Sequence, residues 1–164
     1  MSVIRVLVAN KSKAEMYDLP TRRSALKPVR TFVNTAGKER ESALGTGRPG
    51  RTMNRSGGVR QTYQAKHSIK EQAEEDLVRQ VAAALVAHLK RRSGSQIVLV
   101  AAAQTLGLYR QHLPAAVQKR VVLEIQRDLN KLPVTTLRER VLEALQELPP
   151  SAIASWGVRR PRAV

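Results

Sequence analysis

The chain opens on a short apolar run rich in β-branched residues at 3–9, interrupted only by Arg5 and bounded by Asn10-Lys11-Ser12-Lys13. This reads as a buried strand followed by a turn. Residues 14–19 alternate around Met16 and Tyr17 and stop at Pro20, as the second arm of a hairpin would. Residues 29–33 alternate again, with Val29, Thr31 and Val33 on one face and Arg30 and Phe32 on the other, which predicts a third strand. From Asn34 to His67 the hydrophobic periodicity vanishes, and this stretch reads as a long loop.

Ser68 and Glu71 stand at capping-box spacing and predict a helix start. Glu71, Glu74, Glu75 and Asp76 fill the turns that follow, and Lys90, Arg91 and Arg92 the last, a polarity that suits the helix dipole. Leu77, Val81, Leu85 and Leu89 form one stripe, so this helix should pack on the sheet, with His88 beside the stripe as a packing residue. Gly94 ends it. Residues 96–103 are continuously apolar, the pattern of a strand buried on both faces in a parallel sheet. Three helices are expected beyond: 105–113; 115–130 with Val117, Val121 and Ile125 inward; and one after Pro133, opened by a second capping box at Thr136 and Glu139. Val141, Leu145 and Leu148 would face the core, and Pro149-Pro150 would close the domain. The expected order is β-β-β-loop-α-β-α-α-α. It makes residues 1–148 a single layered α/β domain, a mixed sheet flanked by helices. Residues 149–164 are expected to be a flexible basic tail with Trp156 as its one large anchor.

Charge changes the picture. The net charge is +16, and it is unevenly placed. Residues 1–66 hold 14 basic and 4 acidic side chains, residues 67–148 hold 12 and 9, and residues 149–164 hold 3 and none. That asymmetry is the electrostatic footprint of a polyanion binder. Within the loop 34–67, residues 45–66 carry five of the nine glycines and no acid. Glycines let a backbone approach a ligand closely, and arginines offer planar forks that match phosphate oxygens. The candidate nucleic-acid contacts are therefore Arg48, Arg51, Arg55, Arg60 and Lys66 in the loop, with Arg159, Arg160 and Arg162 in the tail.

Other chemistry is thinly represented. There is no cysteine, and His67, His88 and His112 show no metal-ligand spacing, so neither a metal site nor a cofactor is expected. Gly37-Lys38 is followed by Glu39, so the phosphate-loop pattern is absent. A nuclease would need several carboxylates gathered on metal ions, and the strands offer only Glu15 and Asp18. No apolar run approaches the ~20 residues of a membrane span, and no export signal opens the chain, so a cytoplasmic location is expected.

The residues VLVANKSKAEMYDL, GRPGRT, the later SGG, IVLVAAAQTLGLYRQHL and VVLEIQRDLNKLPVTTLRERV together resemble the bacterial host attachment proteins, described as required for attachment to host cells. That family is in turn similar to the middle domain of archaeal and eukaryotic peptide-chain release factors. The resemblance implies a ribonuclease-H-like sheet whose long loop carries a Gly-Gly-Gln motif. Here the matching residues are Gly57, Gly58 and Gln61, with Val59 and Arg60 intervening. Such an insertion moves the glutamine by up to ~7 Å, and a ~1 Å misplacement can cost a hundredfold in rate.

The leading expectation is thus a non-enzymatic RNA-binding protein, translation-linked, docking on the ribosome or tRNA. Only five aromatic residues occur, so recognition should be of phosphate backbone and RNA shape. One alternative is a peptidyl-tRNA ester hydrolase using Gly57, Gly58 and Gln61. Another is an interaction protein acting in attachment to host cells.

Overall fold

The computed structural model describes residues 2–34 and 58–154 together with Trp156; for 58–68 it gives the helical backbone alone. Strand β1 (Ile4–Ala9) is buried at every position and forms the centre of a five-stranded sheet. The Asn10 side chain makes the turn to β2 (Lys13–Leu19): its Oδ1 accepts from the amides of Ser12 (2.9 Å) and Lys13 (2.7 Å). This local bonding is why an asparagine favours such a corner. Strand β3 (Lys27–Val33) pairs antiparallel with β2 and is an edge, exposed at all positions but Phe32.

Helix α1 (Gly58–Arg91) crosses back over the sheet and delivers β4 (Gln96–Ala101) parallel to β1, with Val6 opposite Val98. Helices α2 (Ala103–His112) and α3 (Ala115–Gln118) lead to β5 (Val121–Gln126), parallel to β4, and then α4 (Val134–Gln146) and a 3₁₀ turn (Pro150–Ile153). The sheet order β3-β2-β1-β4-β5, antiparallel among the first three and parallel among the last three, is the expected ribonuclease-H-like topology.

The sheet buries two cores. On one face Leu7, Met16, Ile97 and Leu99 meet Leu77, Val81 and Leu85 of α1 and Leu106 and Tyr109 of α2. On the other, Ile4, Val6, Leu19 and Val98 meet Leu137, Val141 and Leu145 of α4, closed by Ile153 and Trp156. Met16 and Tyr17 are consecutive and both buried because the sheet is covered on both faces: alternation sends Met16 to the α1 core and Tyr17 to the α4 core, while the register shift beside them leaves Val29 of β3 as the extra residue.

Four expectations are corrected. The helix predicted from Ser68 begins at Gly58, so Ser68 is internal and no acid lies in the first turn. Residues 59–67 contain no proline and no glycine, so nothing stops the helix from extending past that capping box. The helix predicted over 115–130 is a four-residue turn of helix followed by β5. Val117, Val121 and Ile125 are spaced like a helical stripe, but Val122 and Leu123 fill in the other face, and the open side of β4 claims the run as a strand. The last helix starts at Val134 behind Pro133, with no side-chain cap, so Thr136 and Glu139 are not its capping box. Finally, the first described residues of the expected tail are packed: Ile153 and Trp156 are buried, and Trp156 Nε1 donates to the Leu19 carbonyl at 2.8 Å.

Candidate nucleic-acid interface

Of the residues singled out from sequence, Arg48, Arg51, Arg55 and Gly57, and Arg159, Arg160 and Arg162, lie outside the described residues. Gly58, Arg60, Gln61 and Lys66 are placed on the first turns of α1. The described buried positions of α1 run from Ala73 to His88, about 23 Å of helix. Since a six-residue strand spans ~20 Å, that length already covers the sheet. Because α1 ends at Arg91 and feeds the amino end of β4, its residues 69–72, half-buried or exposed, lie toward the carboxyl end of β1 and β4. At that same end Asn34, the last described residue before the gap, donates its amide to the Ser12 carbonyl at 2.8 Å. The β1–β2 turn, the end of β3 and the start of α1 thus converge on one end of the sheet.

Pairing decides which charges in the N-terminal hairpins are available. Residues 2–34 hold seven cations and two carboxylates. Asp18 is held by Arg5 from the neighbouring strand, Nε to Oδ1 at 2.7 Å and Nη2 to Oδ2 at 3.1 Å. Glu15 is held by Lys13 and by the Tyr17 hydroxyl, which donates at 2.8 Å. Burial pushes the Glu15 carboxyl up, but those two donors outweigh it and hold it below its ordinary value. Burial, together with donation to Glu15, pushes Tyr17 up to about 12. Both acids are therefore engaged, and Lys11, Arg22, Arg23, Lys27 and Arg30 form no ion pair among the described residues.

Two of the five, Arg22 and Arg30, are positioned by their surroundings. The turn carrying Arg22 and Arg23 is fastened from α4: Arg138 donates to the carbonyls of Arg22 (2.7 Å) and Ser24 (2.6 Å). The Arg22 guanidinium stands 5.7 Å from the Trp156 ring and Arg30 stands 4.5 Å from that of Phe32, within cation–π range. The bulge at Met16/Tyr17 sets Lys27 opposite Asp18 and Arg30 opposite Met16, so both point to the α1 side of the sheet. Planar guanidinium groups resting on rings, with their edges in water, are suited to bidentate contact with phosphate oxygens. Sequence reasoning missed this cluster. Its one sequence signal is the seven-to-two imbalance of the first 34 residues.

The remaining polar groups are interior. His88 on α1 is buried, and burial, reinforced by Arg5, pushes its pKa down to about 4, so it is neutral at physiological pH. Tyr109 is 1% exposed, and its hydroxyl has no hydrogen-bond partner among the described residues. Among the described residues no three His, Asp or Glu side chains gather as metal ligands. No described helix is long and apolar enough to cross a membrane.

A ribonuclease-H-like α/β domain with a basic hairpin edge is thus the class that the sheet order and the charges define. The chain belongs to the family described as "Protein required for attachment to host cells", whose model matches residues 5–141. Among solved structures it is similar to the archaeal translation termination factor aRF1, with TM-score 0.46 and 10% identity over 88% of this chain and 39% of that one. It is also similar to a structure described as an archaeal protein, with TM-score 0.43 and 10% identity over 88% of this chain and 38% of the other. The chain thus spans well under half the length of either. No curated protein matches it.

Proposed function

We propose that this host-attachment-family protein binds RNA through its phosphate backbone, without catalysis, as a cytoplasmic factor associated with ribosomes or tRNA. The observation that supports this reading is the set of five exposed cations, Lys11, Arg22, Arg23, Lys27 and Arg30, left over once both hairpin carboxylates are paired. Lys27 and Arg30 lie on the edge strand β3, Arg22 and Arg23 on the β2–β3 turn and Lys11 on the β1–β2 turn, in a protein whose net charge is +16. Arg48, Arg51, Arg55, Arg60, Lys66 and the arginines of the tail would extend the same contact. Phosphate contacts of this kind fix position and affinity without reading sequence.

The test is binding of the full chain to ribosomes and to tRNA across a salt series. Each phosphate neutralised should contribute a slope of ~0.7 to 0.9 in log affinity against log salt. Changing Arg23, Lys27 and Arg30 together to alanine should lower that slope by roughly two to three. A flat salt response, or a slope indifferent to the three substitutions, would overturn the role of this edge.

A further inference from the structure

The two edge strands differ in charge and in apolar content. Strand β3 carries Lys27, Pro28 and Arg30, and its register with β2 is broken by a bulge, all devices that discourage a further strand from pairing. Strand β5, Val-Val-Leu-Glu-Ile-Gln, carries no lysine, arginine or proline, although its register with β4 is also shifted once, at Val122. Five of its six residues are half-buried, and among the described residues nothing hydrogen-bonds to its outer side. Its single charge, Glu124, is neutralised by Arg110 of α2.

Alongside the strand runs a groove of about 450 Å³, lined by Leu99, Leu113 and Val121 with Arg110, Gln118 and Glu124. Its wall is fixed. Gln118 Nε2 donates to the carbonyls of Arg110 and Leu113, both at 2.8 Å, tying α3 to the end of α2. A strand laid along β5 would gain main-chain hydrogen bonds, and every second side chain would enter this groove.

Charge selects the occupant. Lys119 and Arg120 precede β5 and Arg127 follows it; all three are exposed, and none is in an ion pair among the described residues. A second copy pairing antiparallel would bring Arg120 of each chain beside Arg127 of the other, cation against cation at both ends, with Lys119 beside Asp128 as a partial offset. We infer that the β5 edge is a docking site for an extended peptide segment of another protein, with alternating apolar residues flanked by carboxylates. Its backbone adds a sixth strand, its apolar side chains occupy the groove, and its acidic ends meet Lys119, Arg120 and Arg127. The site lies on the edge opposite the proposed RNA surface, so it stands or falls independently of that reading.

The test uses the full chain and a labelled synthetic peptide, Asp-Asp-Val-Thr-Val-Thr-Val-Asp-Asp, followed by fluorescence anisotropy and by backbone amide NMR. Binding with perturbed amides confined to 121–126 and the groove is expected. Replacing the four aspartates by lysines should weaken it at least tenfold, and N-methylating alternate backbone amides should remove it. Changing Lys119, Arg120 and Arg127 to glutamate, all surface positions, should reverse the preference between the two peptides. Equal affinity for acidic and basic peptides, no binding at millimolar peptide, or perturbation elsewhere would overturn the inference. So would a dimer with 121–126 protected in the absence of peptide, or perturbation of these amides by an RNA oligonucleotide but not by the peptide.

Discussion

The two faces of the sheet bury similar numbers of aliphatic side chains but treat polar groups differently. The face under α4 takes in two polar handles, and both are satisfied: Trp156 Nε1 by the Leu19 carbonyl and the Tyr17 hydroxyl by Glu15. The face under α1 takes in the Arg5–Asp18 pair, neutral His88 and the Tyr109 hydroxyl, which has no partner among the described residues. The first face is built for cohesion. The second holds ionisable groups whose state depends on conditions, because in a low-dielectric interior each unpaired charge or donor is costly. The two halves of the core should therefore respond differently to truncation and to pH.

The largest effect should come from the apolar face. Trp156→Ala removes a buried aromatic ring and a satisfied hydrogen bond, and should cost about 3–5 kcal/mol in chemical denaturation. A loss below ~1 kcal/mol would mean that the ring does not close this core. Next, Asp18→Asn leaves the Arg5 guanidinium buried without its counter-charge. Because Asp18 is itself partly exposed, the loss should be about 2–3 kcal/mol, short of the full penalty for breaking a buried pair.

His88 makes the contrast pH-dependent. Its folded pKa is pushed from 6.5 to about 4, chiefly by burial. Between those values the unfolded chain binds the extra proton, so this group's contribution is whole above about 6.5 and is lost as pH falls towards 4, by roughly 3 kcal/mol at most. Glu74, held above its ordinary 4.5 by burial, has the opposite slope, and Glu15, held below 4.5, acts at lower pH. Subtracting the stability profile of His88→Leu from that of the native chain isolates the histidine. An unchanged slope between pH 4 and 6.5 would show that His88 is not neutral in the fold. The smallest effect is expected for Tyr109→Phe: removing a buried hydroxyl without a partner should leave stability unchanged or raise it by up to ~1 kcal/mol. A loss above that would reveal a partner for the hydroxyl.

Four of the five strands were legible because their side chains announce burial along the chain itself: the runs of β1 and β4, the alternation of β2 and β3. Strand β5 was not, because its identity depends on the vacant side of β4, a fact about neighbours rather than about residues 121–126. The start of α1 was hidden by a capping-box mimic inside a longer helix-compatible stretch. The candidate site divides the same way. The charge excess could be counted from the sequence, and it directed attention to the glycine-rich stretch. Which hairpin cations remain available could not be counted, since that follows from Arg5 meeting Asp18 thirteen residues away across a strand pair.

The bond between Trp156 and Leu19 joins positions 137 residues apart, and it has a consequence for how the chain is made. The β1–β2–β3 hairpins can pair as soon as they emerge, since their contacts are local and close quickly. Among the described residues, their second face, with Ile4, Val6, Val8, Tyr17 and Leu19, is covered by α4, Ile153 and Trp156, with Leu129 and Leu148 beside them. A nascent chain must therefore carry an uncovered apolar sheet until synthesis has passed Trp156. During that interval the early hairpins depend on the folding environment to stay out of aggregates.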